Sequence, residues 1–102
     1  MIVVTGTFNL KPEAVDAVHA AATVMMTESN KEDGCLHYRF YADVEHRHIM
    51  HVYEEWASDA HLVAHAASAH MAAYRKELSE IGGVISRDVK KTEVADDAWS
   101  SL

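Results

Sequence analysis

Eight histidines in 102 residues are the groups best able to do chemistry in this chain, and their spacing decides which can act together. His61 and His65 stand four apart, so on a helix both could face one metal ion, with His70 or a carboxylate as third ligand. The helical zinc pattern carries a Glu directly after the first His, and Leu62 holds that place, so no metal is expected. His65 shares an apolar stripe with Leu62 and Ala66 and should point toward a sheet, whereas His61 is expected on the wet side. In that position His65 is either a core histidine held by one hydrogen bond or a general base kept neutral by desolvation. Trp56 would wall the same cavity or fill the core. Tyr38 and Tyr74 can each pack a ring and offer a hydroxyl, and with His70 they are candidate substrate-binding groups. Glu54 has the parity of Val52 and Trp56, where a bare carboxylate is costly, so it reads mainly as an ion-pair or hydrogen-bond partner.

Other chemistries lack their residues. The four glycines (Gly6, Gly34, Gly82, Gly83) cannot build a dinucleotide fingerprint or a phosphate-binding loop. There is no G-x-S-x-G elbow, and Ser58 and Ser68 are better explained as helix caps than as nucleophiles. Cys35 is the single cysteine, which excludes an intrachain disulfide and reads as a buried structural thiol. No cofactor is expected.

The elements that must position these groups follow from periodicity. Residues 2–8 are β-branched or apolar on both parities, a strand covered on two faces. Pro12 and Glu13 open a helix that buries Val15, Val18, Ala22 and Met25, leaves His19 on the surface and ends before Gly34. Residues 35–43 alternate, with Leu36, Tyr38, Phe40 and Ala42 on one face, and residues 48–56 carry bulk on both parities. After Ser58 one apolar stripe (Leu62, His65, Ala66, Ala69) gives way to another (His70, Tyr74, Leu78, Ile81), which a straight helix cannot serve. Two helices are therefore expected, 59–66 and 69–80, with Ser68 capping the second. Residues 84–94 form a last strand with Ile85 and Val89 on one parity, and Trp99 and Leu102 suggest that the acidic tail packs on something. The order β-α-β-β-α-β, with its second helix split, is ferredoxin-like α+β, one domain over residues 1–94 with a tail over 95–102. One layer of helices covers one sheet face, so a second copy of the chain is expected on the other, making a homodimer.

Composition bounds the partners. A net charge of −7 with scattered Lys and Arg excludes a phosphate-tracking stripe, and hence nucleic acid. No apolar run approaches a bilayer span and the N-terminus reads as no targeting segment, so no membrane partner and a cytoplasmic location are expected.

The runs Glu32-Asp33-Gly34-Cys35 and Tyr53-Glu54-Glu55-Trp56, with His61-Leu62, Ala64-His65 and His70-Met71-Ala72-Ala73-Tyr74 in that order, resemble the antibiotic biosynthesis monooxygenase family, and within it the bacterial quinol monooxygenases. The likeness runs from the first strand through the last helix. It implies a dimeric α+β barrel with a pocket in each subunit between sheet and helices. It also implies cofactor-independent chemistry in which a small aromatic, hydroquinone-type substrate is deprotonated and itself reduces O2, ending as a quinone. In that reading His65 is the catalytic base or proton shuttle, Trp56 its pocket wall, and Tyr38, His70 and Tyr74 hold the substrate. The family often places Pro where Ala69 stands. Heme-degrading relatives use an Asn where Thr5 stands and an axial histidine later on the last helix, where none follows His70, so heme degradation is not expected. A non-catalytic small-molecule-binding dimer is one alternative. An isomerase of a small phosphorylated carbonyl compound, using Arg39, Arg75 or Arg87, is another.

Overall fold

The computed structural model describes all 102 residues. Four strands, β1 (Ile2–Leu10), β2 (Cys35–Ala42), β3 (Ile49–Trp56) and β4 (Val84–Glu93), pair antiparallel in the order β2-β3-β1-β4. Three helices, α1 (Val15–Ser29), α2 (Asp59–Ala66) and α3 (Ala69–Ile81), complete the ferredoxin-like arrangement, with a 3-10 turn (Pro12–Ala14) leading into α1. The sheet is open rather than closed into a barrel. No helix is long and apolar enough to cross a membrane.

The core lies between the helices and one sheet face. Ile2, Val4, Phe8 and Leu10 of β1, Tyr38 and Phe40 of β2, and Met50, Val52 and Trp56 of β3 meet Val15, Val18, Ala22 and Met25 of α1 and Tyr74 of α3. The α1 stripe is the one its periodicity dictates. His19 is half-buried rather than on the surface: its ring lines a cavity of about 140 Å³ between α1 and β2, and its Nε2 is sealed without a partner.

Two strand readings need correction, both because a bulge resets parity. β2 shifts register between Cys35, opposite Trp56, and His37, opposite Glu55. Cys35 therefore packs against the core and Leu36 is exposed. β1 and β4 shift between Asn9 and Leu10, so Val84 and Val89 pack on the core while Ile85 is exposed. Trp99 and Leu102 are also exposed, so the tail does not bury its apolar groups in this chain.

The face away from the helices is more polar than strand composition suggested. Val3 is its buried group, and around it stand Thr5, Thr7, His51, Tyr53 and Glu55. The Tyr53 hydroxyl donates to Glu55 at 2.6 Å and the His37 ring meets Tyr53 edge-on, so the face is organised by polar contacts.

Candidate active site

The break between α2 and α3 is what brings two histidines together. At 3.6 residues per turn, positions five apart on one straight helix point about 140° away from each other. Here α2 stops at Ala66, and the Ser68 side chain caps α3 by accepting from Met71 N–H at 3.2 Å while donating to the His65 carbonyl at 2.7 Å. The ring of His65, in the last turn of α2, then lies 5.9 Å from that of His70, in the first turn of α3.

Both rings converge on Glu32, in the loop after α1. His65 Nδ1 lies 2.5 Å and His70 Nε2 2.9 Å from the same oxygen, Glu32 Oε2. A carboxylate can only accept, so these two nitrogens carry the protons and donate. His65 is then left with an Nε2 lone pair, and that atom is buried with no partner. Glu32 owes its place to Gly34, which turns the chain at φ +76. The Gly34 carbonyl accepts from Ala57 N–H at 2.8 Å, locking the loop to the end of β3, and a Cβ on Gly34 would sit 2.2 Å from the His61 ring.

Aromatic groups close the cluster from below. Trp56, fully buried, lies with its ring centroid 4.6 Å from that of His65, and Tyr38 packs at 5.2 Å from His65 and edge-on to Trp56. Burial holds the His65 pKa below the usual histidine value even though Glu32 pulls the other way. Trp56 Nε1–H donates to Glu54 Oε1 at 2.9 Å, which gives Glu54 the hydrogen-bond role expected of it. Burial nevertheless pushes the Glu54 carboxyl up to about 7. Burial, with the charges of Glu32 and Glu54, raises the Cys35 thiol to about 11, so it stays protonated and unreactive.

The sequence candidates thus divide. His65, His70, Trp56 and Tyr38 form one cluster. Tyr74 stands a layer away, packed on Phe40, with its hydroxyl buried and unpartnered. It shares with His70 a cavity of about 60 Å³. His61 is not a free surface group: its Nδ1 lies 2.7 Å from Ser58 Oγ and its Nε2 3.5 Å from Asp33. Glu32 is the functional candidate that residue-type reasoning passed over. The signal available for it was an acid two residues before the glycine that turns the chain. Glu32, His65 and His70 are also the residues able to hold a metal ion, with donor atoms all within 4.8 Å of one another.

Residues 1–77 match the family model described as antibiotic biosynthesis monooxygenase. A Mycobacterium tuberculosis protein named "Putative monooxygenase Rv0793" is 29% identical over 94 residues, covering 92% of this chain and 89% of that one. Its solved structure superposes with a TM-score of 0.83 at 26% identity, over 96% of this chain and 98% of that one. The structure of a "putative antibiotic biosynthesis monooxygenase" from Deinococcus radiodurans has the same fold, with a TM-score of 0.89 at 20% identity over 100% and 99% of the two chains. With three quarters of its residues matched by the family model and its fold shared end to end with these structures, the chain belongs to the antibiotic biosynthesis monooxygenase family.

Proposed function

We propose that this chain is a cofactor-independent monooxygenase that oxidises a small hydroquinone-type aromatic with O2 to a quinone, with His65 as base and Glu32 as its positioning residue. The observation that supports this reading best is the buried His65 ring held by Glu32 against Trp56, in which Nδ1–H is committed to the carboxylate and the Nε2 lone pair has no partner. A base needs a free lone pair, the neutral form and a fixed orientation, and this arrangement supplies all three. Deprotonation makes the substrate electron-rich enough to reduce O2. One oxygen atom joins the ring as the radicals combine, and the other leaves as water when the hydroperoxide collapses. Entry would pass the cavity at His70 and Tyr74, which at about 60 Å³ must widen, by movement of α3, to take a ring.

A second copy of the chain would cover the open face around Val3, its Tyr53 and Glu55 matched by the partner's. Sedimentation at micromolar concentration should then give twice the 11.3 kDa chain mass, and a stable monomer would remove the dimer from the proposal. The enzymatic reading is tested by oxygen uptake with a panel of hydroquinones and anthrols. Uptake coupled to quinone absorbance supports it, and none with any panel member sinks it.

One observation favours a second reading. Arg75 and Arg87 flank a groove of about 360 Å³ with Phe8 and Leu78, and neither makes a salt bridge in this acidic chain. A phosphorylated carbonyl compound could seat its phosphate there, and isomerisation without oxygen uptake would select this alternative.

A further inference from the structure

The Glu32 cluster has a property that a hydrogen-bonded base does not need. Two imidazole nitrogens and a carboxylate oxygen converge from three separate segments, all within 4.8 Å of one another. Two histidines and one carboxylate, leaving a coordination position open, are a donor set that suits zinc and its first-row neighbours. Ligands bound at ~2.0–2.1 Å in tetrahedral geometry stand roughly 3.3 Å apart. The present 2.5 and 2.9 Å separations from Glu32 Oε2 would have to open by less than an ångström. Side-chain rotation provides that, because Glu32 sits on a loop and His70 at a helix start. The route in is also short: His70 and Glu32 are 21% and 17% exposed, so an ion reaches the buried His65 without unfolding anything.

We propose that Glu32 Oε2, His65 Nδ1 and His70 Nε2 form a binding site for one divalent transition ion such as Zn²⁺, and that its occupation withdraws His65 from catalysis. Each neutral imidazole shifts its proton to the other ring nitrogen when the ion takes the nitrogen facing Glu32. For His65 this places the proton on Nε2, the atom that must otherwise accept one from substrate. The ion is therefore an inhibitor of the activity proposed above, and that half of the inference rests on the functional reading. The binding half does not.

The test begins with chelator-treated protein titrated with Co²⁺, whose visible d–d absorption reports bound imidazole without any turnover. A one-to-one endpoint, reversed by Zn²⁺, is expected. Glu32→Gln and His70→Ala should each weaken binding by more than about tenfold, since losing a ligand exceeds the roughly 10- to 100-fold cost of losing an outer-shell partner. Circular dichroism of both variants checks that they fold; His70, at the rim, is the safer replacement. His61→Ala should bind normally. Absence of Co²⁺ absorption with wild-type protein overturns the site. So does binding that survives both ligand replacements but is lost in His48→Ala, which would put the ion at His46 and His48, whose rings lie 5.6 Å apart between β2 and β3. Oxygen uptake by metal-free protein is then followed as Zn²⁺ is added. Inhibition that tracks occupancy supports the competition, and unchanged uptake at full occupancy overturns it. If metal-free protein turns over no panel substrate, the functional reading and its inhibition fall while the spectra still decide the site.

Discussion

Two histidine–carboxylate contacts stand at the two ends of β3, and their surroundings act on them differently. Near its start, on the open face, His51 Nε2 meets Asp43 Oδ2 at 2.8 Å. Near its end, under the helices, Trp56 backs the 2.5 Å contact of His65 with Glu32. At the first, the hydrogen bond from His51, then those from the His46 and Glu45 N–H groups, lower Asp43 to about 2. At the second, desolvation of the buried His65 ring outweighs the pull of Glu32 and lowers the His65 pKa. Both contacts join an imidazole to a carboxylate, but the His51 ring is 41% exposed and the His65 ring 2%, and Asp43 also accepts two backbone N–H bonds. Water around Asp43 screens the pair and leaves it no more than a turn-stabilising contact. Beneath α2 the same contact becomes a fixed dyad.

If that difference is functional, replacing the two histidines should separate widely. His65→Ala is expected to lower hydroquinone oxidation by roughly 10²- to 10⁴-fold, the usual worth of a positioned acid or base, with KM little changed. His65→Asn, which retains a donor toward Glu32, should be as inactive while keeping more of the stability. Equal and small losses from both would mean that His65 only fills the core.

The next largest effect sharpens the packing side of the comparison. Trp56 is fully buried, so Trp56→Ala should lower unfolding free energy in urea by about 3–5 kcal/mol, from lost transfer energy and an unfilled cavity. Trp56→Phe refills most of the volume yet leaves Glu54 Oε1 without its donor, so about 1–3 kcal/mol should still be missing. Full stability in the Phe variant would show that the Glu54 contact contributes nothing.

These sites differ in how far the sequence announced them. The split at Ser68 was legible because two apolar stripes collided, and the Ser68 cap follows from residue type. The burial of His65 and Trp56 followed from periodicity alone. Glu32 was not legible in that way: it lies in a loop, has no period to read, and gains meaning only when α2 folds across it. The bulges at Leu36 and between Asn9 and Leu10 were hidden for a related reason, since alternation is a local signal and a register shift is set by the neighbouring strand. His19 shows the converse: its spacing put it outside the stripe, but β2 comes close enough to cover its ring.

Glu54 gives a pH test of the sealed side. Its folded pKa, about 7, lies above the ordinary 4.5, so its contribution to stability is fully present below pH 4.5 and is lost as pH rises through 7. The window is worth on the order of 3 kcal/mol. Glu54→Gln, which can still accept from Trp56, should flatten the urea midpoint between those two pH values. A wild-type chain whose midpoint does not fall across this window would mean that water reaches the carboxyl.

The smallest effect belongs to the open face. His51→Ala removes the largest cause of the Asp43 shift but leaves the Glu45 and His46 N–H bonds to Asp43 Oδ1, at 2.9 and 3.0 Å, so the hairpin turn should persist. Asp43 has its pKa lowered by folding, so its stabilising contribution is present above pH 3.8 and disappears as pH falls through 2. Stability and oxygen uptake near neutral pH should therefore match wild type. The difference should be confined to acid, where the carboxyl resonance of Asp43 titrates at a higher pH in the variant than in wild type. A loss of activity in His51→Ala at neutral pH would erase the distinction between the two pairs, because it would give an exposed, water-screened contact the role assigned to the buried one.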